Sequence, residues 1–196
     1  TANREVGDFR KPRFMTEEVQ VTPAAIGTAV HLLFQESDLT QIPTITTVNA
    51  LLQRLTADGL ITPEVAKRID VAKLVAFYTT PLGQELLKNH TRAKREVAFS
   101  MVLPAGKVFE ELDETLTDPI LVHGIMDGYF ITENDEVVLF DYKTDHVYGE
   151  DGVEKIKQRY QGQLNLYQTA LEQILNKPVP HKYLYLVELD QAVELP

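Results

Sequence analysis

The apolar residues of this chain change their spacing once, near Arg95, and that switch from helical to strand periodicity limits the fold more than any other feature. Before it, helix starts recur. Thr22 precedes Pro23, a capping hydroxyl ahead of a residue with no amide hydrogen to leave unpaired, and the helix they begin should run to about Glu36. Further helices are expected over 47–57 ending at Gly59, from Thr62-Pro63 through Val65 and Ile69, from Asp70 to Tyr78, and from Thr80-Pro81 to Lys88. After it, 97–103, 120–131 and 137–143 are rich in β-branched and aromatic residues with turn residues between them, which predicts three strands. Helical spacing returns over 154–176, with Ile156, Tyr160, Leu164, Tyr167, Leu171 and Leu175 on one stripe, and 182–189 reads as a last strand. A helical opening, a β-meander, a crossover helix and a final strand make an α/β fold with a mixed sheet. One domain over 1–196 is expected, mainly helical over 1–90, with the sheet core over 91–196.

With 196 residues, 44% of them apolar, the chain can bury a sizeable core and is too balanced for disorder. No apolar run approaches the roughly 18 residues of a membrane helix, and the start lacks the features of a signal peptide, so a soluble protein with no membrane partner is expected. The absence of cysteine excludes a disulfide framework, a thiolate zinc site, an iron-sulfur cluster and a cysteine nucleophile, and fits a reducing, cytoplasmic compartment. The opening Thr1-Ala2-Asn3-Arg4 has no initiator Met, which suggests a piece of a longer chain. A net charge of -10 argues against holding nucleic acid by bulk electrostatics. The charge is uneven: 107–145 contains 11 Asp and Glu against 2 Lys. Basic clusters at Arg10, Lys11 and Arg13 and at Lys88, Arg92, Lys94 and Arg95 could meet phosphates, although such clusters are more often solvated faces.

The chemistry sits in the acidic block. Phe140-Asp141-Tyr142-Lys143 puts a carboxylate and an ammonium two residues apart on a strand, so both leave one face while Tyr142 points away. Alone, this D-x-K reads as an ion pair on a solvated sheet face. Asp127, in Gly124-Ile125-Met126-Asp127-Gly128 on the preceding strand, changes the weighing. A two-residue loop at Asn134-Asp135 sets Asp127 opposite Tyr142, on the wrong face; a three-residue loop over Glu133, Asn134 and Asp135 sets it opposite Asp141, with both carboxylates on one face. Two carboxylates so close would repel, and that arrangement predicts a bound cation or a raised pKa. Oxygen ligands of this kind suit Mg²⁺ or Mn²⁺, with the Tyr142 carbonyl as a further donor. The flanking glycines would let a phosphodiester approach, though glycine beside a strand Asp more often marks a bulge or kink. Lys143 could orient or activate a metal-bound water or steady charge developing on phosphorus.

Together, Gly124-Ile125-Met126-Asp127-Gly128, Asp141-Tyr142-Lys143-Thr144-Asp145, the run from Tyr160 to Tyr167, and upstream Gly27-Thr28-Ala29-Val30-His31 resemble the RecB-type branch of the PD-(D/E)xK nucleases. The resemblance covers about residues 22 to 189, and is strongest to C-terminal nuclease domains of AddA (RexA) subunits of bacterial helicase-nucleases. It implies a restriction-endonuclease-like mixed sheet flanked by helices. It further implies that His31, Asp127, Asp141 and the Tyr142 carbonyl bind the metal, that Asp127, Asp141 and Lys143 are catalytic, and that Gln163 and Tyr167 contact DNA or position the site. From spacing, Tyr160, Gln163 and Tyr167 share one helical face and can line a cleft; the plainer reading makes both tyrosines core residues, and for Tyr160 it has at least equal weight. A helical histidine among apolar neighbours is likewise usually a packing residue. Glu96 resembles the glutamate opening the first strand of these folds, and whether it touches the site or only begins a strand is open; Asp145 could support the site from behind its ligands, but a turn residue is the simpler reading.

The leading expectation is a Mg²⁺- or Mn²⁺-dependent DNA nuclease using in-line attack by a metal-activated water. The resemblance implies single-stranded DNA fed by a helicase in double-strand break repair and recombination, the 3'-ended strand, an AddB (RexB)-like second subunit, and ATP used only in the helicase part. Feeding by a motor answers the charge objection, and the domain alone should bind DNA weakly and salt-sensitively. The alternative is a non-catalytic docking module on the nuclease scaffold; the intact Asp127, Asp141 and Lys143 speak against it. A phosphohydrolase for small phosphoesters ranks lower, because no Gly-rich phosphate loop is present.

Overall fold

The computed structural model describes residues 21–108 and 115–196, so the Arg10, Lys11 and Arg13 cluster and part of the acidic block lie outside the described residues. Among the described residues five helices come first: α1 (Pro23–Glu36), α2 (Ile45–Ala57), α3 (Pro63–Ala66), α4 (Val71–Phe77) and α5 (Pro81–Lys88). Side chains cap each start: Thr22, Thr44, Thr62, Asp70 and Thr80 accept the amide hydrogens that a helix N-terminus leaves over. The second helix begins at Ile45, earlier than residue 47, because Thr44 and Thr47 form a reciprocal capping box and Thr47 stands in the first turn.

The second part is a five-stranded mixed sheet flanked by helices, a restriction-endonuclease-like α/β arrangement. Strands β1 (Ala93–Pro104), β2 (Pro119–Ile131) and β3 (Val137–Lys143) form an antiparallel meander, with the short α6 (Ala105–Val108) after β1. Helix α7 (Gly152–Leu175) then returns the chain, so that β4 (His181–Leu186) pairs parallel to β3. The expected last strand over 182–189 is shorter. It ends at Leu186 in a 3₁₀ turn, and Asp190, at φ 52°, reverses the chain into β5 (Gln191–Glu194), which pairs antiparallel to β4. Among the described residues no helix is long and apolar enough to cross a membrane.

Two apolar cores lie on opposite faces of this sheet. On one, Leu33 and Phe34 of α1 and Phe77 of α4 meet Phe130, Phe140, Tyr142 and Tyr185. On the other, Ile156, Leu164 and Leu171 of α7 meet Met126, Leu139 and Leu184. Strand β3 is therefore buried on both sides, and a charged residue at its end must be paired or used. The stripe expected on α7 holds except at Tyr160 and Leu175, which are only partly buried.

Strands β1 and β2 exchange faces midway. Ala93 packs on the α1 side and Arg95 reaches the α1 carbonyls of Phe34 and Ser37, at 2.8 and 2.7 Å, whereas Val97, Phe99 and Met101 pack on the α7 side. Between Arg95 and Val97 lies Glu96 at φ 54°, a left-handed residue that inverts the alternation without changing the register. On β2 the inversion falls between Met126 and Tyr129, both on the α7 side. Gly128 is there because a Cβ would stand 2.5 Å from the Phe140 ring and 2.9 Å from the Lys94 carbonyl. The glycines flanking Asp127 thus make room for the protein's own rings, Phe140 at Gly128 and Phe99 at Gly124, and not primarily for a substrate. Because β1 begins at Ala93, Glu96 stands inside it and does not open it.

Candidate active site

The hairpin joining β2 and β3 has the register of the three-residue loop. Thr132 pairs with Glu136, Asp135 adopts φ 62°, and Gly128 faces Phe140, so continuing the pairing sets Asp127 across from Asp141. The expectation that both carboxylates share a face needs correction. The strand inversion turns Asp127 toward α1, and the regular pairing stops at Gly128; beyond it Asp127 Oδ2 accepts the Tyr142 amide hydrogen at 2.7 Å. Asp141 remains on the α7 side with Lys143. The two carboxyl groups still act on each other through their charge, and that of Asp127 raises Asp141.

His31 completes the α1 side. Its Nδ1 donates to the Gly27 carbonyl at 2.8 Å, and its Nε2 lies 2.9 Å from the Tyr142 carbonyl oxygen and 3.2 Å from Asp127 Oδ2. One turn further along, Phe34 stacks on the Tyr142 ring at 4.0 Å and 7°, which ties α1 to the end of β3 and sets the height of the histidine. Gly27 permits that approach: a Cβ there would lie 2.9 Å from Thr144 Oγ1. Both imidazole nitrogens face acceptors, which favours the doubly protonated ring. Burial opposes that charge, but the hydrogen bond and charge of Asp127, with the Gly27 carbonyl and Asp141, raise His31 to about 9. For Asp127, burial opposes ionisation, yet the His31 contact and the Tyr142 amide hold its pKa below the ordinary carboxylate value.

Asp141 goes the other way. Burial and the charge of Asp127 raise it to about 7, against the pull of Lys143, which is the second of the two outcomes expected for close carboxylates. The Lys143 ammonium forms an ion pair with Asp141 Oδ2 at 2.6 Å, and that buried oxygen accepts no other hydrogen bond among the described residues. Lys143 donates to Gln163 Oε1 at 2.7 Å and rests 4.0 Å above the Tyr160 ring. Tyr167 packs edge-on to Phe99, and burial together with Asp141 and Asp127 pushes its hydroxyl up to about 12.

A cleft of about 130 Å³, lined by His31, Gln35, Arg95, Glu96, Ile125, Asp127 and Tyr142, opens at these groups. A groove of about 490 Å³ runs from His31 along Gly27, Thr28 and Pro23. The 380 Å³ groove beside α2 shares no lining residue with the cleft. Among the described residues no three His, Asp or Glu side chains are already arranged as a metal cage. His31, Asp127 and the Tyr142 carbonyl instead close on one point through the Nε2 proton. That donor set, one imidazole nitrogen with hard oxygens, can hold a divalent cation once the proton leaves, and the buried Asp141 carboxylate, paired with Lys143, offers further oxygens.

Sequence reasoning missed Gln35, which donates to Glu96. For Asp145 the supporting role is the one the contacts favour over a plain turn, since it accepts from Arg159 and from the Tyr160 hydroxyl, each at 2.8 Å. Of the basic cluster after α5, Lys88 pairs with Glu133, Arg92 with Asp135, and Arg95 holds α1, so three of the four residues are engaged within the fold. The Arg159–Asp145 pair had a faint signal in the adjacent tyrosine; the role of Arg95 had none.

Residues 5–193 match the PD-(D/E)XK nuclease superfamily. The chain is 47% identical over 194 residues to the A subunit of the ATP-dependent helicase/nuclease of Ligilactobacillus salivarius (strain UCC118), a match covering 98% of this chain and 15% of that protein. It is 44% identical over 189 residues to the protein of the same name from Lacticaseibacillus casei (strain BL23), covering 96% and 15%. The Enterococcus faecalis (strain ATCC 700802 / V583) protein of that name is 40% identical over 183 residues, covering 92% and 14%. The chain therefore spans about 15% of the length of these curated relatives. Since the family match runs through every element that carries His31, Asp127, Asp141 and Lys143, this chain belongs to the PD-(D/E)XK nuclease superfamily.

Proposed function

We propose that this chain is a divalent-metal-dependent deoxyribonuclease unit that hydrolyses phosphodiester bonds of single-stranded DNA delivered by a helicase. The setting is a cytoplasmic helicase-nuclease of double-strand break repair and recombination with an AddB (RexB)-like second subunit. The observation that carries the reading is the convergence of His31 Nε2, Asp127 Oδ2 and the Tyr142 carbonyl on one point, with the Asp141–Lys143 ion pair on the same strand end. His31, Asp127, Asp141 and the Tyr142 carbonyl would hold Mg²⁺ or Mn²⁺. Such an ion supplies Lewis acidity at a phosphoryl group.

The chain's own groups do the rest. Gly27 fixes the imidazole so that Nε2 faces the oxygens, and the Tyr142 amide steadies Asp127. Lys143, held by Gln163, places a positive charge where negative charge develops on phosphoryl oxygens. The net charge of -10 supports DNA delivered by a motor over DNA captured by this chain.

Cleavage of end-labelled single-stranded DNA with Mg²⁺, with Mn²⁺ and with EDTA tests the reading. Metal-dependent cutting that is lost in Asp141→Ala and in Lys143→Ala, with circular dichroism unchanged, is the expected result. Full activity in either variant removes that residue from the mechanism. Neither cutting nor calorimetric metal binding would favour the docking module.

A further inference from the structure

Lys143 ends a strand that is buried on both faces, and its ammonium has two oxygen neighbours, Asp141 Oδ2 at 2.6 Å and Gln163 Oε1 at 2.7 Å. Two contacts cannot by themselves locate a group on a four-carbon stem. With those alone the ammonium could swing about the line joining the two oxygens. The third contact is not an oxygen. The Tyr160 ring lies 4.0 Å from Nζ, face on, and its negative π-face attracts the ammonium from a third direction while both oxygen contacts are kept.

That ring is fixed from its far end. The Tyr160 hydroxyl donates to Asp145 Oδ2 at 2.8 Å, and Arg159 donates to the same oxygen at 2.8 Å. Asp145 stands two residues beyond Lys143, in the loop leaving β3, whereas Tyr160 and Arg159 are on α7. The loop that follows the lysine thus clamps the helix that supports it. Donation to a carboxylate also enriches the phenol ring, which strengthens its hold on a cation.

We propose that Tyr160, anchored by Asp145 and Arg159, is a positioning residue that holds the Lys143 ammonium between Asp141 and Gln163. The inference rests on the reading of Lys143 as the catalytic cation. Its structural half can be tested without activity. In the wild-type chain the Lys143 ε-methylene protons, lying against an aromatic face, should resonate upfield of the other lysines. That shift should persist in Tyr160→Phe and vanish in Tyr160→Leu. An unshifted Lys143 in the wild type, or one equally shifted in Tyr160→Leu, overturns the proposal whatever the chain cleaves.

Kinetics provide the second arm. In single-turnover cleavage of single-stranded DNA, Tyr160→Leu should slow the chemical step about tenfold with KM and calorimetric Mn²⁺ affinity unchanged, and Tyr160→Phe should lose less. A rise in KM at unchanged kcat would make Tyr160 a DNA contact and refute positioning. Equal losses in the two variants would assign the effect to the hydroxyl and refute the role of the ring. Absence of both cleavage and metal binding in the wild type would defeat the nuclease reading, and the shift of the ε-methylene protons would still decide whether Tyr160 places Lys143.

Discussion

The substitution Asp141→Asn should stabilise this chain in the absence of metal at pH 8 while ending cleavage. Folding raises the Asp141 pKa from 3.8 to about 7, which corresponds to roughly 4 kcal/mol. The sign follows from proton counting. Between those two values the folded chain binds the extra proton, so stability falls as pH rises, and the full cost is present above about 7. An asparagine side chain removes that cost, and its amide can donate to Asp127. The pull of Lys143, whose side chain is only 13% exposed, is already contained in that value, and in the variant Lys143 keeps Gln163 and the Tyr160 ring. Relaxation of the site and the imperfect match of an amide to a protonated carboxyl take away about half, which leaves a gain of about 1–2 kcal/mol, or about 2–8 °C in Tm for a chain of this size. Urea unfolding in EDTA at pH 8 and at pH 4 measures it. The substituted chain should be the more stable form at pH 8, and the difference should shrink at pH 4, where the native carboxyl is protonated. A variant less stable than wild type at pH 8 would refute the argument that Asp141 is held under electrostatic strain.

Three further outcomes are expected. His31 should remain an imidazolium until about pH 9 in the metal-free chain, seen by NMR titration; its stabilising contact is fully present below its ordinary value of 6.5 and lost as pH rises through about 9. Mn²⁺ affinity, which requires the Nε2 proton to leave, should then increase with pH up to that value, and a flat calorimetric profile over pH 6–9 would return His31 to a packing role. Gly128→Ala sets a Cβ 2.5 Å from the Phe140 ring and 2.9 Å from the Lys94 carbonyl, and should cost about 1–3 kcal/mol in urea unfolding; a neutral result would show that the strand inversion is soft.

Much of the scaffold was legible because its signals are local. Thr22 with Pro23, Thr62 with Pro63 and Thr80 with Pro81 announce helix starts within two residues, and an alternating strand puts Asp141 and Lys143 on one face whatever surrounds them. Strand β5 was missed because Gln191–Glu194 is too short to display a period, and its place depends on the reversal at Asp190. Helix ends moved where a capping side chain, as at Thr44, outweighed composition.

By itself the sequence determined the order of the elements, the strand that carries Asp141 and Lys143, and the two registers open to the hairpin. The tertiary structure decided between those registers, through the left-handed Asp135, and then departed from both simple outcomes by inverting β1 and β2 at Glu96 and Asp127. It also decided that His31 meets the carbonyl of Tyr142, 111 residues away in the chain, because Phe34 stacks on that tyrosine and Gly27 lets α1 come close. Periodicity is set by each residue's neighbours in the chain, whereas the convergence of an imidazole, two carboxyl groups and an ammonium depends on how two cores pack on opposite faces of one sheet.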